Sequence, residues 1–258
     1  MKTRLSSPAA LPEGFATPVR GHPAAFCPGD LELREAAQAA FLDPGLMSAG
    51  RTHLEWVLRH SPEAHDGPVA VLGRIEDSTL SVAPSSYFAA LATGDSLRAE
   101  WEREGFGALR ARAHELAGDD PLRNGHGRAA AIGLAVAAVC GGRVLLARRA
   151  AHLAVDPGRW HVAPSGTLEP RVALADQLAR ELEEEIGVTA AGPPAGLGLG
   201  FDLLRLRAEL CFRLELYSED FALGEEFTEA SWVDPLESWP DPLAPAAAAV
   251  LALLAGPA

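Results

Sequence analysis

The sequence is poor in cysteine, and this scarcity excludes two kinds of protein. Only three cysteines occur among its 258 residues, at Cys27, Cys140 and Cys211. None of them form the closely spaced pairs that metal sites and redox motifs use, and an odd number argues against a disulfide framework. We therefore expect reduced, buried thiols and a cytoplasmic location.

Long apolar runs are missing as well. The two longest apolar segments, residues 129–140 and 246–255, are much shorter than the roughly 20 residues that a membrane-spanning helix needs. The opening residues MKTRLSSPAALPEGF carry early charges without the apolar stretch of a signal peptide. The sequence thus predicts no membrane association, and we interpret the two segments as a core strand and a terminal helix.

Positive charge is the third scarcity. Lys and Arg number 22 against 35 Asp and Glu, which gives a formal net charge of −13. Non-specific binding to nucleic acid needs clustered Lys and Arg, so nucleic acid is not an expected partner. A small anionic ligand is compatible with this charge only if a cation or a few arginines offset the negative field locally.

The first half of the chain, residues 1–127, is predicted to be a small α+β domain. Its first thirty residues are rich in Pro, Ala and Gly, which is typical of an irregular arm. Turn-forming residues concentrate between Gly118 and Gly127, and we place the domain boundary at the end of that stretch. Helices are expected over residues 31–42, 86–105 and 109–116, and a strand over residues 68–75.

The second half, residues 128–258, mixes strands with one pronounced helix and is predicted to be an α/β domain. Apolar residues recur every fourth position from Leu174 to Ile186, which predicts a helix over Val172–Ile186 that ends at Gly187. Strands are expected over residues 130–140, 143–148, 159–162, 210–216 and 230–233, with a Gly-Gly hairpin turn at 141–142 and a closing helix over 245–254.

Three carboxylates of the central helix are expected on one face. Glu181, Glu184 and Glu185 stand at positions i, i+3 and i+4, a spacing that brings helical side chains together. Their repulsion costs about 0.2–0.5 kcal/mol for each close pair, and the negative end of the helix dipole disfavours them further. Such a run is either a solvated surface or a cation site. Carboxylate oxygens suit Mg²⁺, with Mn²⁺ as the alternative.

The segment Gly166–Val188, GTLEPRVALADQLARELEEEIGV, resembles the Nudix signature. That signature is Gly, five residues, Glu, seven residues, then Arg-Glu-aliphatic-any-Glu-Glu-any-Gly-aliphatic. The preceding pieces AAIGLAVAAV, GGRVLLARR, GRW and PSG are similar to the strands and loops that lead into the signature, so that about half of the chain is covered. The matching positions of the signature are Gly166, Arg180, Glu181, Leu182, Glu184, Glu185, Gly187 and Val188.

The resemblance implies a fold and a reaction. The fold is an α/β/α sandwich around a mixed sheet, here preceded by the smaller α+β domain. The reaction is the Mg²⁺-dependent hydrolysis of the phosphoanhydride bond in a nucleoside diphosphate that is linked to a second group. The resemblance further implies that Glu181, Glu184 and Glu185 bind the metal, with the carbonyl of Gly166 as a further ligand.

The resemblance also assigns supporting residues. Arg180 would orient the glutamates, and either Glu181 or Glu229 would be the general base, with Glu229 also a candidate for an extra metal ligand. Two positions depart from the family pattern. Val172 replaces the first glutamate of the signature, which supports the loop before the helix, and Ser165 replaces the second glycine of a Pro-Gly-Gly sequence.

The substrate is predicted only as a class, a small nucleotide. The first half loosely resembles the corresponding region of animal Nudix-type UDP-glucose and UDP-galactose diphosphatases, in the strand before SSYFAALATGD and in the Asp-Pro-Leu of residues 120–122. This favours a UDP-sugar over ADP-ribose, dinucleotides, nucleoside triphosphates or coenzyme A. Two other functions stay open: a nucleotide-binding sensor without catalysis, and a prenyl diphosphate isomerase, which would need a cysteine in its cleft. The oligomeric state is not predicted.

Overall fold

The computed structural model describes residues 15–16, 32–76, 79–118, 120–237 and 239–255. Cys27 and most of the predicted irregular arm therefore lie outside the described residues. Within these ranges, no helix is long and apolar enough to cross a membrane.

Eleven strands and six α-helices are formed by the described residues. The strands are β1 (Phe15–Ala16), β2 (Glu32–Glu35), β3 (Pro68–Glu76), β4 (Thr79–Ser86), β5 (Gly133–Cys140), β6 (Arg143–Arg149), β7 (Trp160–Val162), β8 (Ser165–Thr167), β9 (Ala195–Asp202), β10 (Arg207–Glu215) and β11 (Phe227–Val233). The helices are α1 (Pro44–His60), α2 (Tyr87–Ala90), α3 (Ser96–Glu104), α4 (Ala108–Ala117), α5 (Leu174–Ile186) and α6 (Pro245–Ala255), with a π-helical turn over Leu91–Asp95 between α2 and α3.

The second half is built on a mixed sheet whose order is β1-β9-β10-β5-β6-β11, with β7 beside β6 and β8 beside β5. The central pair, β5 and β10, is parallel, and the other pairs are antiparallel. Alternate residues of β5 face opposite sides of a sheet. Leu134 and Val136 accordingly pack with helix α5, whereas Ala135 and Ala137 pack with helix α6. The predicted α/β/α sandwich with a mixed sheet is confirmed.

Helix α5 buries the apolar stripe that the sequence predicts. Leu178, Leu182 and Ile186 are buried in the main core, and Leu174 is partly buried against it. The helix ends at Gly187, whose φ of 65° is the left-handed conformation that glycine adopts without strain. This packing fixes which of the remaining side chains of α5 face the rest of the molecule.

The first half is an α+β unit, as predicted, with a three-stranded sheet of order β2-β4-β3 and four helices. It joins the second half through backbone hydrogen bonds as well as side chains. The backbone amide of Ala70 donates to the carbonyl of Leu168 at 2.7 Å, and the backbone amide of Leu72 donates to the carbonyl of Ala130 at 2.8 Å. Ala70 and Leu72 belong to the same buried core as Leu134 and Leu182. The hydrophobic core is therefore continuous across the predicted domain boundary at residue 127.

The prediction of a helix over residues 31–42 is wrong. Within its described part, Glu32–Glu35 forms a strand that pairs parallel to β4, and residues 36–41 are in irregular structure. Sheet pairing here overrides the helical preference of an alanine-rich stretch. The helix begins later, at Pro44, where the carboxylate of Asp43 accepts from the amide of Leu46 at 3.0 Å. An Asp followed by Pro is a typical helix start.

Candidate active site

A cavity of about 880 Å³ lies between the two halves. Its size falls within the roughly 300–1,000 Å³ of typical ligand pockets. The second half lines it with residues of the Nudix-like segment and with charged side chains from the central sheet, including Arg149, Asp156, His161, Ser165, Gly166, Glu181, Glu185, Asp202, Arg205, Arg207, Glu209, Glu225 and Glu226. The first half lines it with residues that include His65, Tyr87, Leu91, Gly94 and Asp95.

Glu185 is held at the wall of the cavity by the strand that precedes the helix. Its side chain is buried, and its Oε2 accepts from the backbone amide of Ser165 at 3.1 Å. Burial raises the pKa of Glu185 well above its usual value, and the negative charges of Glu226 and Glu181 raise it further. The carboxylate therefore lies where a nearby positive charge would stabilise its ionised form.

Glu181 lies one helical turn before Glu185 and is positioned by Gln177. The amide nitrogen of Gln177, which is fully buried, is 2.8 Å from the carbonyl of Thr167 and 3.2 Å from Glu181 Oε1. Glu181 also approaches the backbone at Gly166, where a Cβ would lie 2.9 Å from Glu181 Oε1. Glycine at 166 is what allows this approach. Burial raises the pKa of Glu181, although the hydrogen bond from Gln177 opposes this effect.

The carboxylates and backbone of this site suit a hard divalent cation that also binds substrate. Among the described residues, no three His, Cys, Asp or Glu side chains converge closely enough to hold a metal ion by themselves. Mg²⁺ commonly binds through one or two carboxylates, and substrate phosphates and water complete its shell. Glu181, Glu185 and the backbone at Gly166 lie together at the cavity and match that pattern.

Three predicted site residues lie elsewhere. Glu184 is exposed and is not among the residues that line the cavity. This separates it from Glu181 and Glu185, which stand four residues apart and share the inward face of α5. Glu229 also lies outside the cavity, on β11, where its carboxylate is 2.9 Å from Arg148. Arg180 pairs with Glu169, in the loop before the helix. Arg180 thus ties this loop to the helix instead of contacting Glu184.

The acidic loop before β11 faces the cavity through Glu225 and Glu226, which sequence reasoning did not single out. Glu226 lies near Arg149, at 3.6 Å between Oε2 and Nη1. Arg149 is itself part of the cavity wall. The sequence analysis assigns a role to Glu229, three residues before Trp232, whereas the glutamates that reach the cavity stand at the start of this acidic segment.

A cluster of buried charges forms another part of the wall. Arg205 is only 4% exposed, and its guanidinium reaches three carboxylates: Asp202 at 2.6 Å, Asp156 at 3.4 Å, and Asp95, which accepts a hydrogen bond from Nε. Arg98 pairs with the other side of Asp156. Burial alone would raise the pKa of Asp156, but the charges of Arg205 and Arg98 outweigh it and hold the pKa well below its usual range. This cluster is not predictable from sequence spacing, because its members are far apart along the chain.

Comparison with known proteins agrees with the motif. The model of the NUDIX domain family matches residues 128–254. None of the curated protein sequences compared with the chain matches it.

Solved structures with likeness to the second half include three prokaryotic proteins. A MutT protein from Methanosarcina mazei is 27% identical, over 41% of this chain and 77% of its own, with a TM-score of 0.35. A MutT NUDIX hydrolase from Burkholderia pseudomallei is 23% identical over 47% and 95%, with a TM-score of 0.40. An ADP-ribose pyrophosphatase from Streptococcus suis is 19% identical over 48% and 89%, with a TM-score of 0.38.

The match to the family model covers strands β5 to β11, helix α5 and the carboxylates of Glu181 and Glu185. It begins at Arg128, one residue after the turn-rich stretch that ends the first half. Residues 128–254 therefore form a Nudix domain, and the chain is a Nudix-type pyrophosphohydrolase.

Proposed function

We propose that the protein hydrolyses the phosphoanhydride bond of a UDP-sugar, with Mg²⁺ as its cation. The observation that carries this proposal is the place of Glu181, Glu185 and Gly166 in one wall of a cavity whose opposite wall comes from the first half. The two carboxylates suit a cation bound to a diphosphate, and the volume of about 880 Å³ leaves room for groups on both sides of it.

Different residues of the site would have different roles in the reaction. Glu185 and the Gly166 carbonyl would hold the cation, with Glu181 beside them. When bound, a divalent cation neutralises charge on phosphate oxygens and acidifies bound water. Glu181 accepts the proton of the attacking water, since its carboxylate lines the cavity beside the groups that would hold the cation. Gln177 keeps Glu181 in the required orientation.

The choice of a UDP-sugar is supported by the first half. The resemblance to UDP-sugar diphosphatases lies in the strand before SSYFAALATGD and in the Asp-Pro-Leu of residues 120–122. The segment SSYFAALATGD, residues 85–95, follows that strand and reaches the cavity through Tyr87, Ala90, Leu91, Gly94 and Asp95. The segment next to the resembling strand is therefore in a position to contact a substrate held by Glu181 and Glu185.

A series of single charge removals on helix α5 tests the metal site. Glu181→Gln and Glu185→Gln are expected to lower kcat for UDP-glucose hydrolysis by about 100-fold or more, because each removes a group from the reacting centre. Glu184→Gln is expected to have a smaller effect, since its side chain is exposed. Glu183→Gln is the matched control, because Glu183 is also exposed on this helix and stands at a signature position that accepts any residue.

The measurement is the Mg²⁺-dependent release of UMP and sugar phosphate, with circular dichroism to verify that each variant is folded. Wild-type rates in both Glu181→Gln and Glu185→Gln would overturn the assignment of the site. A wild-type protein that binds UDP-glucose without cleaving it, with or without Mg²⁺, would instead favour the nucleotide sensor.

A further inference from the structure

The polar groups in the cavity wall that have no hydrogen-bond partner among the described residues include the buried hydroxyl of Ser165 and two further groups, one from each half of the chain. One is the hydroxyl of Tyr87, on helix α2 of the first half. The other is Nε2 of His161, on β7 of the second half. His161 is only 8% exposed, and its Nδ1 lies 2.9 Å from the carbonyl of Val162. A carbonyl oxygen only accepts, so Nδ1 carries the proton and Nε2 is left as an acceptor.

These two groups face one cavity. Tyr87 lines it from the first half and His161 from the second, together with Arg149 and Arg207. Burial raises the pKa of Tyr87 to about 12 and lowers that of His161 to about 4. Tyr87 is therefore a protonated donor, and His161 a neutral imidazole, at the pH of the cell.

The charges around this pair are already balanced. Arg207 is paired with Glu209 at 2.5 Å, and Arg149 lies 3.6 Å from Glu226. Arg205 is enclosed by the three carboxylates described above. A phosphate would find no unpaired cation among these arginines, whereas a neutral hydroxyl needs only a donor and an acceptor. This part of the wall is suited to an uncharged polar group.

We propose that Tyr87 and His161 bind a hydroxyl of the sugar attached to the diphosphate, and that Tyr87 is a residue through which the first half selects the substrate. Tyr87 donates to the sugar oxygen, and His161 Nε2 accepts from the sugar hydroxyl. The inference rests on the proposed function, since it takes a nucleoside diphosphate sugar as the ligand. It adds a specificity-determining role for residues outside the Nudix signature.

Two tyrosines allow a matched experiment. Tyr87→Phe removes one hydroxyl from the cavity, and Tyr217→Phe removes one from an exposed residue outside it. Binding is measured by calorimetry with Mg²⁺ and the methylene-bridged analogues of UDP-glucose and of UDP, whose P–C–P linkage is not hydrolysed. Tyr87→Phe is expected to weaken the binding of the UDP-glucose analogue about tenfold, which is the effect of losing one hydrogen bond. The UDP analogue should bind unchanged, and Tyr217→Phe should alter neither.

His161→Phe removes the acceptor and is expected to have the same selective effect; if this variant does not fold, Tyr87→Phe decides alone. The inference is overturned if Tyr87→Phe weakens the binding of both analogues equally, or changes the binding of neither. It is also overturned if the wild-type protein does not bind the sugar-bearing analogue more tightly than the UDP analogue. Hydrolysis assays test the proposed function separately. Selective binding without turnover would refute the reaction and leave the sugar contact intact.

Discussion

The protonation of His161 is set by its burial. In the folded protein its pKa is lowered to about 4, because burial disfavours the charged imidazolium and the charge of Arg149 repels it. In the unfolded chain a histidine has a pKa of about 6.5. Between these two values the unfolded chain binds a proton that the folded protein does not bind. The contribution of His161 to stability is thus complete above about pH 6.5 and is lost as the pH falls toward about 4.

We therefore expect His161→Gln to flatten the acid side of the stability profile. The free energy of unfolding of the wild-type protein should fall more between pH 7 and pH 4.5 than that of the variant, by roughly 2–3 kcal/mol. Urea titrations at several pH values measure the difference. His126→Gln, at an exposed histidine stacked on Phe41, serves as the control and should keep the wild-type slope. Equal slopes in wild-type protein and His161→Gln would refute the expectation.

At the scale of single elements, helix α5 has a weak beginning. It starts at Leu174, and the residue before it, Ala173, has no side chain that can accept from the free amides of the first turn. Val172, which replaces the signature glutamate, is half-buried just before this start. The helix that carries Glu181 and Glu185 is therefore held by its buried stripe and its C-terminal glycine, without a side-chain cap at its N-terminus.

Supplying a cap should stabilise the protein. Ala173→Asp is expected to raise the free energy of unfolding by about 0.5–2 kcal/mol, because its carboxylate can accept from an amide of the first turn and interact favourably with the helix dipole. Ala179→Asp is the control, since it adds the same charge at an exposed site within the helix and should give no gain. Chemical denaturation compares the three proteins. A gain of equal size in both variants would show that charge, and not capping, is responsible.

The elements that could be predicted from the sequence are those that are specified by the spacing of residues close together along the chain. The spacing of α5 is enough to put Glu181 and Glu185 on one face, and Gly166 stands close to them because the strand-to-helix loop is short. Strand β9 was missed because glycines at 196, 198 and 200 replace the alternating side chains that identify a strand. It is nevertheless paired on both sides, by β1 and β10.

The parts of the site that could not be predicted depend on long-range folding. Asp95, Asp156 and Arg205 meet only because the first half packs on the central sheet, and no spacing in the sequence links them. Glu184 shows a different limit: it has the helical spacing of a shared face, but the packing of α5 leaves its side chain exposed to solvent. Local periodicity identifies neighbours on an element but does not fix the angle at which the element is packed.

At the scale of the whole molecule, the buried charge cluster joins the halves. Asp95 and Arg98 come from the first half, whereas Asp156, Asp202 and Arg205 come from the second. Removing one member of a buried ion pair leaves its partner charged and without compensation. Because several carboxylates share Arg205, its loss affects both halves at once.

Arg205→Met is accordingly expected to lower the free energy of unfolding by about 3–5 kcal/mol. Arg213→Met, which breaks an exposed pair with Glu215, should change it by less than about 1 kcal/mol. Thermal and urea unfolding, followed by both fluorescence and circular dichroism, provide the measurement. The shared core also leads us to expect one transition in the wild-type protein. A loss as small for Arg205→Met as for Arg213→Met would contradict a role of the cluster in joining the halves.

The register of the central sheet constrains the order in which a nascent chain can complete its fold. Strand β5 pairs with β10 in parallel, Gly133 opposite Glu209, and Ala70 of the first half packs in the same core as Leu210 and Leu214. On the ribosome, β3 and β5 emerge well before β10 has been synthesised. Their apolar faces and an unpaired sheet edge then stay uncovered for much of translation, and such surfaces promote aggregation. Efficient expression of this protein is therefore expected to depend on chaperones that shield the growing chain.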